Sequence, residues 1–353
     1  MLLGVFSVAG AAALWLQWVD ARYALRDDRP RRVDVTTADG WTLALWHRPS
    51  PRRRFDVPVI LCHGLANNAA FMEFRGARNL GRALAEAGFD TWAVDLRGHG
   101  ASTPPHEGPW DVTFDDHVTF DAPAVVEAVL RASGARQAAW IGHSLGGLVG
   151  LAAAPALGAR LAALVTVGTP VFFRVPRVLA PLARLVSWLA LWGRLDSALL
   201  RVIAPFAGRA PPPKLTALSA NLRNITREDQ RALVANVFAP VWRGVLRQLA
   251  DWVEHDAFTS VDGATDYRAR LATLEVPTLM VGGTVDQLAP PDVVRDAFAL
   301  LTMPTRELQL FGRTYGHAAE YGHGDLLVGR AAPEEVYPVI SRFLARAINA
   351  PRG

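Results

Sequence analysis

What most narrows the fold of this chain is an alternation of short apolar runs with helix-period stretches that breaks once and then resumes. "VPVILCHG", "FDTWAVDLRGHG", "QAAWIGHS" and "LAALVTVGTP" are short, apolar and bounded by glycine or polar residues, as parallel strands buried on both faces are. Between them lie "FRGARNLGRALAEAG", "DDHVTFDAPAVVEAVLRASG" and a segment opening at Leu145, each with a helical pattern. Parallel neighbours need a crossover, usually a helix, so this order predicts a mostly parallel sheet covered by helices on both faces. Upstream, "RRVDVTTADGWTLALWHRP" reads as two β-rich segments around Asp39-Gly40, a hairpin signal.

The alternation stops after Pro170. From Phe172 to about Arg270 the pattern is helical, rich in Leu, Trp and Arg, broken by "APPPKL", with no convincing strand. It resumes with "VPTLMVGG", a helix through "PDVVRDAFALL", the strand "TRELQLFG" and a closing helix through "EEVYPVISRFLARAI". The organisation predicted is one α/β core in two parts, 30–171 and 271–353, interrupted by a helical cap over 172–270. A chain of 353 residues, 51% hydrophobic, can bury such a core, and disorder as its main state is excluded.

Residues Met1 to Val19 carry no charge, about the ~20 apolar residues that cross a bilayer as a helix. Trp15 and Trp18 fall where interfacial indoles are favoured, and no basic leader or small-residue cleavage site marks a signal peptide. Segment 1–20 is therefore expected to be a membrane anchor, a buried or amphipathic helix being the alternative. Arg22, Arg26, Arg29, Arg31 and Arg32 follow at once and would hold the following domain on the cytoplasmic side. The net charge of +4 comes from arginine spread along the chain, Lys214 being the single lysine. No aromatic-interleaved basic stripe stands out, so nucleic acid is not an expected partner, whereas anionic membrane is. Cys62 alone can form no intrachain disulfide and reads as a small buried hydrophobe.

"WIGHSLGG" places Gly142-His143-Ser144-Leu145-Gly146 between an apolar strand and the start of a helix. That is the setting of a nucleophile elbow, where a strained turn projects the serine oxygen and flanking glycines avoid clashes. A hydroxyl is a weak nucleophile at neutral pH and needs a base, with an acid to orient it. His143 would be carried away from the serine oxygen and reads as structural. An oxyanion needs donors, and "LCHGLANN" brings the Leu65 amide to join that of Leu145. His63, close to Leu65, is read as a loop-organising residue.

With "HGLANN", "DLRGHGAS", "GHSLGG", "VGGTVDQLAP" and a late histidine loop in this order, the chain resembles the α/β-hydrolase superfamily. "ADGWTLALWHR", "LAEAGFDTWAVDLRG", "FDDHVTFDAPAVVEAVL" and "GHGDLLVGRAAPEEVYPVI" are similar to the acid-lipase group and its bacterial relatives, although "RGHGAS" is shared with simpler esterases. The resemblance implies an α/β-hydrolase fold with a helical cap inserted after the sixth strand and the acid just beyond the next strand, at Asp286. Asp262 and Asp266 precede that strand and are weaker candidates. The base belongs in "RTYGHAAEYGHGDLLVG", where His317 and His323 both follow the last strand. The resemblance favours His323, because Asp325 lies two residues on, before an apolar patch and the closing helix.

The expectation is a serine hydrolase of hydrophobic carboxylic esters using Ser144, His323 and Asp286, with no metal or cofactor. An acyltransferase or polyester-related enzyme on the same fold and a non-catalytic membrane-associated scaffold are the rivals. Polymerising relatives typically carry a cysteine nucleophile, which Ser144 argues against, and the filled triad positions argue against a scaffold.

Overall fold

A computed structural model describes residues 2–25, 30–106, 110–174, 194–195, 198–209 and 216–349. Arg26, Arg29, Arg177, Arg184 and Lys214 lie outside the described residues.

The sheet has eight strands: β1 (Arg31–Thr36), β2 (Thr42–Arg48), β3 (Val59–Cys62), β4 (Thr91–Asp95), β5 (Ala138–His143), β6 (Leu161–Val167), β9 (Thr278–Gly283) and β10 (Arg306–Phe311), β7 and β8 being a separate pair, Arg194–Leu195 and Val241–Trp242. Their order across the sheet is β1-β2-β4-β3-β5-β6-β9-β10. The hairpin forms around Asp39-Gly40, Thr36 opposite Thr42, and β2 runs antiparallel to β4. Every other neighbouring pair in the sheet is parallel. The alternation seen in the sequence is this parallel part, one strand per apolar run.

Successive residues of the central strands supply opposite faces, as a period of two requires. Ile60, Cys62, Trp92, Val94 and Trp140 join one core, packed with Val125, Leu148 and Trp252. Val59, Leu61, Ala93, Ile141, Val165 and Leu279 join the other, under Leu80, Leu84, Ile340 and Phe343. Each fully buried Val, Leu or Ile among them contributes about 1.5–3 kcal/mol, so double-sided burial makes the register of the central strands hard to slip. Helix boundaries follow capping chemistry: Asn79 accepts the Arg82 amide ahead of Leu80–Ala87, and Gly88 closes that helix in the left-handed region.

The chain leaves the sheet after β6 and returns at β9, its parallel neighbour. The intervening insertion is helical over Arg227–Asn236 and Arg243–His255. It also holds the two-residue ladder β7–β8, which the sequence reading did not anticipate, strands this short leaving no periodic signal. The insertion lies across the loops that follow β3 and β4: Ala239 N–H donates to Ala66 O (2.8 Å), the Asn68 amide to Asn236 O (2.9 Å) and the Trp242 indole to Gly98 O (3.2 Å).

The expected membrane-spanning anchor is corrected. Among the described residues no helix is long and apolar enough to cross a membrane. The N-terminal helix, Leu2–Tyr23, spends its last turns on the protein: Val19 and Tyr23 are buried with Ala204 and Ala235, the Trp15 indole donates to Val202 O (3.0 Å), and Asp20 pairs with Arg201. The expected cytoplasmic placement of the following domain rests on a spanning helix, and none is present among the described residues.

Candidate active site

Ser144 stands between β5 and the helix Leu145–Leu157 with φ of +51° and ψ of −116°, and its side chain makes no capping bond to that helix. A non-glycine residue here is strained by roughly 1–3 kcal/mol, a cost that persists only where the surroundings hold the turn. They do: Ser144 N–H donates to Val167 O of β6 (2.8 Å), and the amides of Gly147 and Leu148 donate to Ser144 O. The motif glycines are required by close approach, since a Cβ at Gly142 would lie 2.1 Å from Gly146 O and one at Gly146 would lie 2.5 Å from the carbonyls of Cys62 and His63.

Asp286 follows β9 and His323 follows β10. His323 Nδ1 lies 2.9 Å from Asp286 Oδ2, with Asp286 3% and His323 5% exposed. The second carboxylate oxygen, Oδ1, accepts the amides of Leu288 and Ala289, both at 2.9 Å. With Oδ1 filled by those amides, Oδ2 of Asp286 is the oxygen left to accept from the imidazole Nδ1–H, which turns Nε2 away from the carboxylate. His323 borders the elbow: its ring centroid lies 4.8 Å from that of His143, and His143 Nε2 lies 3.3 Å from His323 O.

The loop after β3 closes the other side. A Cβ built on Gly64 would lie 3.1 Å from Ser144 Cβ, so the backbone leading to Leu65 runs against the serine. Leu145 opens its helix, and the first amides of a helix have no intrahelical acceptor and are free to meet an anion. His63 is fully buried, with Nδ1–H donating to Gly64 O (2.8 Å) and Nε2 accepting Leu96 N–H (3.2 Å). Burial pushes its pKa down, so it stays neutral and ties the loop after β3 to the loop after β4.

The other candidates lie elsewhere. His317 turns back onto the end of β10, its Nδ1 against the Gly312 backbone and its ring 4.6 Å from that of Phe311. Asp262 bonds Ser260 and the Ala264 amide in an exposed turn, and Asp266 accepts the Ala269 amide. A cavity of about 340 Å³ borders β2 and the loops after β3 and β4, lined by Leu25, Trp46, Arg48, Phe74, Asp95 and Asn236, and none of Ser144, Asp286 or His323 lines it.

His143, which reads from the sequence as structural, bonds the loop that carries His323. The pKa of its ring is held well below the usual value by burial and then by His323 beside it, so the neutral ring donates from Nε2 to the His323 carbonyl. No sequence signal links residues 180 positions apart. A buried polar network also underlies the loop after β4: Arg97 pairs with Asp121 (2.7 Å) and Asp39 (2.7 Å), and His117 Nδ1 lies 2.8 Å from Asp121.

Parallel strands, an insertion over their ends and a strained serine after β5 define an α/β hydrolase. The chain belongs to the alpha/beta hydrolase fold family, whose model matches residues 57–329. It is similar to Lipase member M of Mus musculus, 25% identical over 91% of this chain and 84% of that protein. It is also similar to Lipase member N of Mus musculus, 32% identical over 40% of each chain, so that match spans well under half of the relative. Among solved structures it is similar to a soluble variant of monoglyceride lipase from Saccharomyces cerevisiae in complex with a substrate analog, with a TM-score of 0.63 and 17% identity over 93% of this chain and 98% of that one. At that identity the likeness concerns the fold.

Proposed function

We propose that this protein hydrolyses carboxylic esters with hydrophobic acyl groups through a serine acyl-enzyme. Ser144 Oγ attacks the ester carbonyl while His323 Nε2 takes its proton, and the Leu65 and Leu145 amides receive the oxyanion. His323 then returns the proton to the departing alcohol, and water, activated by the same imidazole, releases the acid. Asp286 orients the ring and stabilises the imidazolium. The observation that carries this reading is the 2.9 Å His323–Asp286 contact beside a serine held at φ of +51°.

The lipase character rests on the names of the relatives together with the apolar insertion, which serves here as a cap over the acyl group. Membrane association is part of the same reading, in interfacial rather than spanning form. Leu14, Trp18, Ile203 and Phe206 are 68%, 48%, 49% and 52% exposed, and Trp15 stacks on Phe206 at 6.2 Å. This aromatic and aliphatic surface has Arg22 and Arg209 beside it, a composition suited to lying in a headgroup layer.

The test is a p-nitrophenyl ester series of increasing acyl length, with Ser144→Ala as control. Turnover that rises with chain length and vanishes in Ser144→Ala is expected. A flat or short-chain profile would remove the lipase character, and turnover surviving in Ser144→Ala would remove the serine mechanism.

A further inference from the structure

The loop that carries His323 is bonded on both sides of the histidine to one short stretch of the insertion, residues 219–224. Before His323, the Asn221 side chain donates to Glu320 O (2.7 Å). After it, Gly324 N–H donates to Ser219 O (2.9 Å) and Arg330 N–H to Asn224 O (2.8 Å). At the centre stands Asp325, 0% exposed. Its Oδ1 accepts the amides of Asn221 (2.8 Å) and Gly322 (3.0 Å), and its Oδ2 accepts the Asn224 side-chain amide (3.0 Å).

A carboxylate without solvent is costly unless its lone pairs are bonded. Here one oxygen gathers an amide from the histidine loop and one from the insertion, and the other takes the Asn224 side chain of the insertion and shares the Gly322 amide at 3.2 Å. The carboxylate therefore joins two segments that sequence separates by about a hundred residues.

We propose that Asp325, with Asn221 and Asn224, is a latch that couples the insertion to the general base: His323 is held in reacting position only while residues 219–224 are seated on its loop. The latch touches neither substrate nor reacting atoms and acts through His323, so the three are positioning residues. The inference rests on the triad reading above. Misplacing a base by a fraction of an ångström to an ångström lowers turnover while leaving ground-state binding nearly intact.

The test exchanges donor and acceptor. In Asn224→Asp two carboxylates face each other, a clash that rotation of neither side chain relieves, whereas in Asp325→Asn the Asn224 amide can turn its oxygen to the new donor. Combining the two substitutions restores the pattern: the side-chain amide introduced at position 325 still accepts the Asn221 and Gly322 amides through its oxygen, and its nitrogen donates to the carboxylate introduced at position 224. With p-nitrophenyl acetate, Asn224→Asp is expected to lose about 10- to 100-fold in kcat with KM within about threefold. The double variant is expected to recover to within about threefold of the parent. A folded Asn224→Asp with parental kcat, or a folded double variant no better than Asn224→Asp, overturns the latch. Should Asn224→Asp not fold, Asn224→Ala, which removes one neutral side chain, must show the same kcat-selective loss, and parental kcat there overturns it equally. Parental turnover in Ser144→Ala or His323→Ala would instead refute the triad reading, so the two failures are distinguishable.

Discussion

His323 Nδ1 and Asp286 Oδ2 lie 2.9 Å apart, while Asp286 Oδ1 is held by the amides of Leu288 and Ala289. This arrangement fixes what Asp286→Asn must do. The amide oxygen of the introduced asparagine will face the two backbone donors, turning its N–H toward His323 Nδ1. The imidazole must then carry its proton on Nε2, where it can take none from Ser144. A loss of about 10³- to 10⁴-fold in kcat is expected, with the melting temperature nearly unchanged. Steady-state kinetics beside a thermal melt check it, and a loss under tenfold would contradict the assigned roles.

Burial holds the pKa values of His99 and His143 well below the usual 6.5, so both are neutral in the folded protein. In the unfolded chain they titrate near 6.5. Below about pH 6.5 the unfolded state therefore binds more protons, and stability falls as pH drops toward the folded values, by up to about 1.4 kcal/mol per pH unit for each group. Urea unfolding at pH 5.5 and 7.5 should show the lower stability at 5.5. His99→Gln should narrow the difference, and an unchanged difference would contradict the assignment.

Arg97 is 2% exposed and Asp121 0%, and they meet at 2.7 Å. Removing one partner strands the other charge out of water, so Arg97→Met should cost about 3–5 kcal/mol. Denaturant midpoints measure this, and a cost below about 1 kcal/mol would mean that His117 alone suffices for Asp121.

Leu14 and Trp18 point outward from the N-terminal helix. The double substitution Leu14→Asp and Trp18→Asp should weaken binding to anionic vesicles at least about tenfold, since each side chain contributes roughly 1.5–3 kcal/mol when buried. Turnover of a water-soluble short-chain ester should be unchanged. Equal sedimentation with vesicles would remove this face from membrane association.

The parallel sheet was legible because each apolar run between "VPVILCHG" and "TRELQLFG" is a strand buried on both faces, and the elbow because Gly142 and Gly146 sit where only glycine fits. Asp286 and His323 came from a family resemblance, since strand-end loops carry no periodicity of their own. The N-terminal helix misled because its apolar residues are equally what a docked helix needs, and Val19 and Tyr23 spend theirs on Ala204 and Ala235. Nothing local could disclose that His143 and Asp325 act on the histidine loop, because their partners come from segments that only folding brings together.

The most direct measurement of the central claim is fluorophosphonate labelling followed by peptide mass spectrometry of the intact enzyme. One adduct on the peptide containing Ser144 is predicted, formed much more slowly in His323→Ala. A folded protein that takes no label, or takes it at another residue, would contradict the account.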